Sequence, residues 1–154
     1  MRGANKDKAT QDGATFLFIA SENGHTEVMR FLCENGPDKD TVTQDGATSL
    51  YVASRDGHME VVRLLCESGA DKDKARQDVA ASLFIASRNG HFRVVHFPCE
   101  SGADKDKATQ GGAASLFIES QDGHLEVVRR LGKAGADKDK AKQNGVTPLV
   151  YRVA

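Results

Sequence analysis

The 154-residue chain lacks tryptophan and has only two tyrosines, three prolines and three cysteines. No stretch of it approaches the about 20 apolar residues that a membrane helix needs, and its first residues lack the hydrophobic segment of a secretory signal. The sequence therefore predicts a cytoplasmic or nuclear protein with no membrane partner.

Neither positive nor negative charge is in marked excess. Lysine and arginine number 21, aspartate and glutamate number 22, and the formal net charge is −1. The signs also alternate locally, as in Asp71-Lys72-Asp73-Lys74. Because nucleic-acid binding requires a basic stripe that neighbouring carboxylates do not cancel, the sequence predicts no nucleic-acid partner.

Sequence signatures of common catalytic sites are also missing. The chain contains no H-E-x-x-H, G-x-S-x-G, Walker loop or C-x-x-C. It is therefore predicted not to be an enzyme and to need no cofactor or metal.

The dipeptide Gly-His recurs at intervals of 33 residues, and the surrounding residues recur with it. The copies are Gly24-His25, Gly57-His58, Gly90-His91 and Gly123-His124. Such a period predicts an array of one small unit that buries its apolar face against its neighbours.

The first half of each unit has the pattern of a short helix. Thr15 can cap this helix, Leu17, Phe18 and Ala20 face inward, and Gly24 ends it in the left-handed conformation.

A second helix follows, with a buried stripe at i, i+1, i+4 and i+5, and Gly36 ends it. The stripe consists of Val28, Met29, Leu32 and Cys33. The polar segment 69–75 is too short for a helix and is predicted to form a hairpin-like loop between units.

The stretch from Thr48 to Lys72 reads T-S-L-Y-V-A-S-R-D-G-H-M-E-V-V-R-L-L-C-E-S-G-A-D-K and resembles the ankyrin repeat, with its T-P-L-H-x-A box, G-H, aliphatic pair, leucine run and G-A-D. This resemblance implies an all-α ankyrin-repeat solenoid of stacked helix-turn-helix units with protruding hairpin-like loops. It covers nearly the whole chain, which is expected to form a single array over 1–154. The expected repeats are about 10–42, 43–75, 76–108 and 109–141, with a partial repeat at 142–154 and the end of a preceding repeat at 2–9.

The resemblance also implies a function, because nearly all ankyrin arrays are protein-binding scaffolds. Partners of the family lie on the concave side formed by the loop tips and the first helices. Carried over by position, that surface comprises Gln11, Asp12, Ala14, Glu22, Gln44, Asp45, Ala47, Arg55, Asp56, Gln77, Asp78, Ala80, Arg88, Asn89, Gln110, Gly111, Ala113, Gln121 and Asp122. Arginine is common at binding hot spots, so Arg55 and Arg88 are the first candidates.

Three columns of the repeat have competing interpretations. Copies of the cysteine column, Cys33, Cys66 and Cys99, are expected to lie about 8–10 Å apart in stacked helices, beyond the about 7 Å limit for a disulfide. They are predicted to be small buried apolar residues. The aromatic column could be a packing ladder or a stacking platform for a ligand, and the ladder is favoured; its members are Phe18, Tyr51, Phe84 and Phe117. For the histidine column, the resemblance implies a role in ordering the turn before the second helix, which is favoured over a catalytic or ligand role.

Several positions depart from the 33-residue pattern. Val79 replaces a turn glycine, and Pro98 replaces a helical leucine, so the third unit is expected to be weak. Glu119 and Arg152 share an inward column and are expected either to pair or to turn outward.

Functions other than a protein-binding scaffold also remain open. The chain could be a regulatory or substrate-recruiting segment of a larger enzyme, or a drifting repeat fragment without a selected partner. Self-association through uncapped ends is also possible.

Overall fold

The computed structural model describes residues 8–71, 74, 82–91, 93–95, 125–133 and 135–137. Its helices alternate with short turns, and residues 93–95 are helical as well. The helices with defined bounds are α1 (Phe16–Glu22), α2 (Thr26–Glu34), α3 (Ser49–Asp56), α4 (Met59–Glu67), α5 (Ser82–Arg88) and α6 (Leu125–Lys133). Within these ranges the only β-type pairing is one isolated bridge between Ala9 and Thr15. The predicted all-α class is confirmed.

The first helices of the first two units each begin at a threonine cap. The Thr15 hydroxyl accepts a hydrogen bond from the Phe18 backbone N–H at 3.2 Å, and the Thr48 hydroxyl accepts one from Tyr51 at 3.1 Å. These bonds satisfy backbone donors that the helix start leaves without partners. The predicted cap at Thr15 is therefore confirmed.

Glycine in the left-handed region ends the first helices. Gly57 caps α3 with φ of 80°, and Gly24 follows the cap of α1 with φ of 67°. A side chain would strain the backbone in this region, so glycine is the residue that the turn requires.

The helices pack in two layers. In one layer α1 contacts α3 and α3 contacts α5, while in the other α2 contacts α4. Within a unit, α1 packs on α2 and α3 packs on α4. The core therefore runs along the array between the layers and joins residues of successive units, such as Leu17, Leu50 and Leu65.

The buried stripe of the second helix is confirmed in the second unit and only partly in the first. The four stripe positions of α4 are all buried: Val61, Val62, Leu65 and Cys66. In α2, Met29 is buried and Leu32 and Cys33 are half-buried, but Val28 is exposed. The prediction for Val28 was wrong, because the equivalent valine of α4 is covered by the preceding unit and no helix precedes α1 among the described residues.

Cysteine and loop positions agree with the repeat pattern. Cys66 is buried in the core, which confirms its predicted role, whereas Cys33 is only half-buried and packs against the core. Cys99 lies outside the described residues. In the loops that follow α2 and α4, the Asp71 backbone N–H donates to the Asp40 carboxylate at 2.9 Å, and the Lys74 ammonium donates to the Asp40 carbonyl at 2.6 Å. The loops of adjacent units are therefore bonded to each other.

The Gly-His dipeptide has a role between units. Nε2 of His58 lies 3.0 Å from the carbonyl oxygen of Glu22, and Nε2 of His91 lies 2.9 Å from that of Arg55. A Cβ added to Gly24 would lie 2.7 Å from Nδ1 of His58, and one added to Gly57 would lie 2.8 Å from Nδ1 of His91. Each histidine ring thus lies against the glycine of the preceding unit, a contact that the predicted role within the turn does not include.

Several sequence predictions concern residues whose structure is not described. Val79, Pro98, Glu119 and Arg152 all lie outside the described residues. The weak third unit, the charged pair and the repeat boundaries therefore stay predictions. None of the helices in the described ranges has the length and apolar content that a bilayer crossing requires.

Candidate protein-binding surface

The two described Gln-Asp pairs, Gln11-Asp12 and Gln44-Asp45, lie at the tips of tight turns that precede the first helices. In the second unit, the Thr43 N–H donates to the Ala47 carbonyl at 3.0 Å, the Ala47 N–H donates to the Thr43 hydroxyl at 3.1 Å, and the Gly46 N–H donates to the Thr43 carbonyl at 2.8 Å. The Thr43 hydroxyl also donates to the Asp45 carboxylate. These bonds fix the turn and leave Gln44 and Asp45 exposed.

The turn of the first unit has the same construction. Thr10 and Ala14 exchange the equivalent bonds, at 2.9 Å between backbone groups and 3.1 Å to the threonine hydroxyl. Gln11 and Asp12 are exposed at its tip. The threonine that closes each turn was missed by sequence reasoning, although its recurrence at positions 10, 43 and 109 was available as a signal.

Adjacent turns are hydrogen-bonded to each other. The backbone N–H of Gln44 donates to the Asp12 carbonyl at 3.0 Å, and the Gln44 side-chain amide donates to the Gln11 carbonyl at 2.7 Å. A Cβ on Gly13 would lie 3.2 Å from Cα of Thr43, so the turns approach closely. The tip residues Gln11, Asp12, Gln44 and Asp45 therefore form one row with a fixed spacing, which we call the turn row.

A second row lies at the C-terminal ends of the first helices. Arg55 binds Asp56 through two hydrogen bonds of 2.7 Å, and its Nη2 lies 3.4 Å from the Glu22 carboxylate of the preceding unit. The Asn89 amide donates to the Arg55 carbonyl at 2.7 Å. We call the residues at these helix ends the helix-end row; they are Glu22, Arg55, Asp56, Arg88 and Asn89. The seven residues of α1, at 1.5 Å per residue, separate the helix-end row from the turn row by about 10 Å.

Hydrogen bonding sets the ionisation of the central pair in the helix-end row. The hydrogen bonds from Arg55 hold the pKa of the Asp56 carboxyl below its ordinary value, and the same bonds hold the pKa of Arg55 above its own. Both groups stay charged at neutral pH. Arg55 is consequently engaged within the chain, which weakens its case as a first hot-spot candidate, whereas Arg88 is exposed.

Most of the described members of the predicted surface are accessible. The exposed members are Gln11, Asp12, Glu22, Gln44, Asp45, Asp56, Arg88 and Asn89, and the half-buried members are Ala14 and Arg55. The remaining predicted residues lie outside the described residues: Gln77, Asp78, Ala80, Gln110, Gly111, Ala113, Gln121 and Asp122.

Ala47 is an exception, because it is buried. It forms a small cluster with Tyr51 and Ile85, against which Phe18 packs. Its methyl group therefore does not contribute to an accessible surface, contrary to the prediction. The same cluster confirms the packing-ladder interpretation of the aromatic column for Phe18 and Tyr51, since both rings are used in contacts between first helices.

Over the described part of the chain, no group of three or more His, Cys, Asp or Glu side chains could hold a metal ion.

Comparison with known proteins identifies the repeat. Residues 1–76 match the family model described as ankyrin repeats in three copies. No curated protein matches the chain significantly. Residues 1–76 belong to the ankyrin repeat family, and the described helices fit an all-α repeat solenoid. Ankyrin repeats generally mediate protein–protein interaction and are not themselves enzymes.

Proposed function

We propose that this chain is a protein-interaction scaffold whose partner binds across the turn row and the helix-end row. The main support for this proposal is that Gln44 donates hydrogen bonds to the carbonyl groups of Gln11 and Asp12. These bonds hold exposed side chains of adjacent units at a fixed spacing. A surface ordered before binding loses less conformational entropy when the partner arrives. The proposed scaffold is cytoplasmic or nuclear and has no catalytic role of its own.

The charge of the two rows favours a basic partner. Their described carboxylates are Asp12, Glu22, Asp45 and Asp56, against the guanidinium groups of Arg55 and Arg88. Because Arg55 already neutralises Asp56, the accessible excess is negative. We therefore expect the partner to present lysine or arginine side chains, and the same excess disfavours nucleic acid.

Charge reversal on the rows should abolish capture of such a partner. With the purified chain as bait, the double variant Asp12→Lys, Glu22→Lys should lower the recovery of the partner by at least about tenfold, since like charges across an interface cost several kcal/mol. Recovery is measured by quantitative mass spectrometry of proteins captured from extract, followed by titration calorimetry with the purified partner.

The control variant makes the same change of charge elsewhere. Glu27 and Glu34 are exposed on α2, outside both rows, and Glu27→Lys, Glu34→Lys should retain the partner. Equal loss with both double variants would show that capture follows net charge alone. Loss only with the α2 variant would place the partner on the second helices and would reject the proposed surface.

A further inference from the structure

The Arg55 guanidinium lies between two carboxylates of the helix-end row. Its Nε and Nη2 donate hydrogen bonds to the two carboxylate oxygens of Asp56, both at 2.7 Å, and Nη2 also lies 3.4 Å from Oε1 of Glu22 in the preceding unit. The planar fork of donors on a guanidinium suits such bidentate binding. The Glu22 and Asp56 carboxylates are therefore close enough for one guanidinium group to bridge them.

Contacts with the following unit hold the backbone at these positions. The carbonyl oxygen of Glu22 lies 3.0 Å from Nε2 of His58, and that of Arg55 accepts a hydrogen bond from the Asn89 amide at 2.7 Å. The side chains nevertheless reach solvent, with exposed fractions of 45% for Glu22, 40% for Arg55 and 29% for Asp56. The Arg55 side chain can therefore leave the carboxylates while the backbone that carries all three groups stays in place.

The third unit has no equivalent of this arrangement. Arg88 lies 33 residues after Arg55, but the positions that correspond to Glu22 and Asp56 hold Arg55 and Asn89. Among the described residues, no carboxylate forms an ion pair with Arg88, which is exposed. The pairing is thus particular to Arg55 and is not shared by every arginine of the row.

We propose that the Glu22 and Asp56 carboxylates form a binding site for an arginine side chain of the partner, and that Arg55 occupies this site until the partner displaces it. This rests on the proposed basic partner and adds which carboxylates bind it and what competes with it. Because Arg55 adjoins Asp56 in the chain, its effective concentration at the site is high and it lowers the affinity for the partner. Exposed ion pairs are weak, so a partner with further contacts along the two rows displaces Arg55.

Titration calorimetry at low salt with an acetylated and amidated hexa-arginine peptide tests this competition. Arg55→Gln removes the competitor and should lower the Kd of the peptide by about twofold to fivefold more than the control does. The matched control is Arg88→Gln, which removes the same charge from the same row but no ion pair. Adding Glu22→Gln to Arg55→Gln should remove the additional gain, whereas adding Glu27→Gln, on α2 and outside both rows, should retain it.

Three results would overturn the competition. Equal effects of Arg55→Gln and Arg88→Gln would show that the peptide responds to net charge alone. Weaker binding by the Arg55→Gln chain would make Arg55 a contact of the peptide, and no measurable binding by that chain would mean that the carboxylates form no such site. Far-UV circular dichroism of each variant checks that the helices persist.

Failure of this proposal is distinguishable from failure of the proposed scaffold surface. Loss of the captured partner with Asp12→Lys, Glu22→Lys, together with equal effects of the two arginine variants, would reject the competition and leave the surface in place. Retention of the captured partner by Asp12→Lys, Glu22→Lys would reject the surface, whatever the peptide shows.

Discussion

Replacing Leu65 with alanine should lower the free energy of unfolding by about 2–5 kcal/mol, the cost of removing a fully buried leucine side chain from a core that cannot fully collapse. Leu65 is completely buried on α4 and belongs to the cluster that joins the two helix layers. Urea denaturation followed by circular dichroism at 222 nm measures the loss.

Leu32 provides the matched control, since it occupies the equivalent position of α2 but is only half-buried. Leu32→Ala removes the same atoms from a site that already contacts water, so its cost should be clearly smaller. If the two substitutions cost the same, the burial of this column would not depend on the neighbouring unit, and the core would not be shared between repeats as described.

Gly57→Ala should also destabilise the fold, for two separable reasons. Gly57 has φ of 80°, and a non-glycine residue in such a sparsely populated region costs about 1–3 kcal/mol. In addition, its new Cβ would lie 2.8 Å from Nδ1 of His91, forcing the ring away from the Arg55 carbonyl. Losing that hydrogen bond adds about 0.5–1.5 kcal/mol.

Gly69→Ala isolates the backbone contribution. Gly69 has φ of 89°, but a Cβ there would meet nothing within 4 Å. Gly57→Ala should therefore cost more than Gly69→Ala in the same denaturation experiment, and the excess should shrink when His91 is also replaced by alanine. Equal costs for the two glycine variants, with or without His91, would mean that the ring does not hold adjacent units together.

Local features of each unit could be predicted from the sequence because they depend on neighbours along the chain. The cap at Thr15 and the left-handed Gly24 follow from residue type and from position in the 33-residue period. The two helices and the burial of Met29 follow from apolar spacing.

Features that depend on contacts between units were harder to predict. Val28 and Val61 have the same residue type and the same repeat position, yet among the described residues only Val61 is covered by helices of a preceding unit, and only Val61 is buried. Ala47 occupies a family contact position but is covered by the Tyr51 cluster. The ion pairs of Arg55 depend on Glu22 of the preceding unit and on side-chain direction, which periodicity does not specify.

Hydrogen–deuterium exchange of the chain with and without its captured partner tests the proposed scaffold role most directly. Binding across the two rows predicts slower exchange in the turns at 10–14 and 43–47 and at the C-terminal ends of α1 and α3, with unchanged exchange on the outer helices α2 and α4. Protection confined to α2 and α4, with both turns exchanging at their free rates, would contradict the proposed surface.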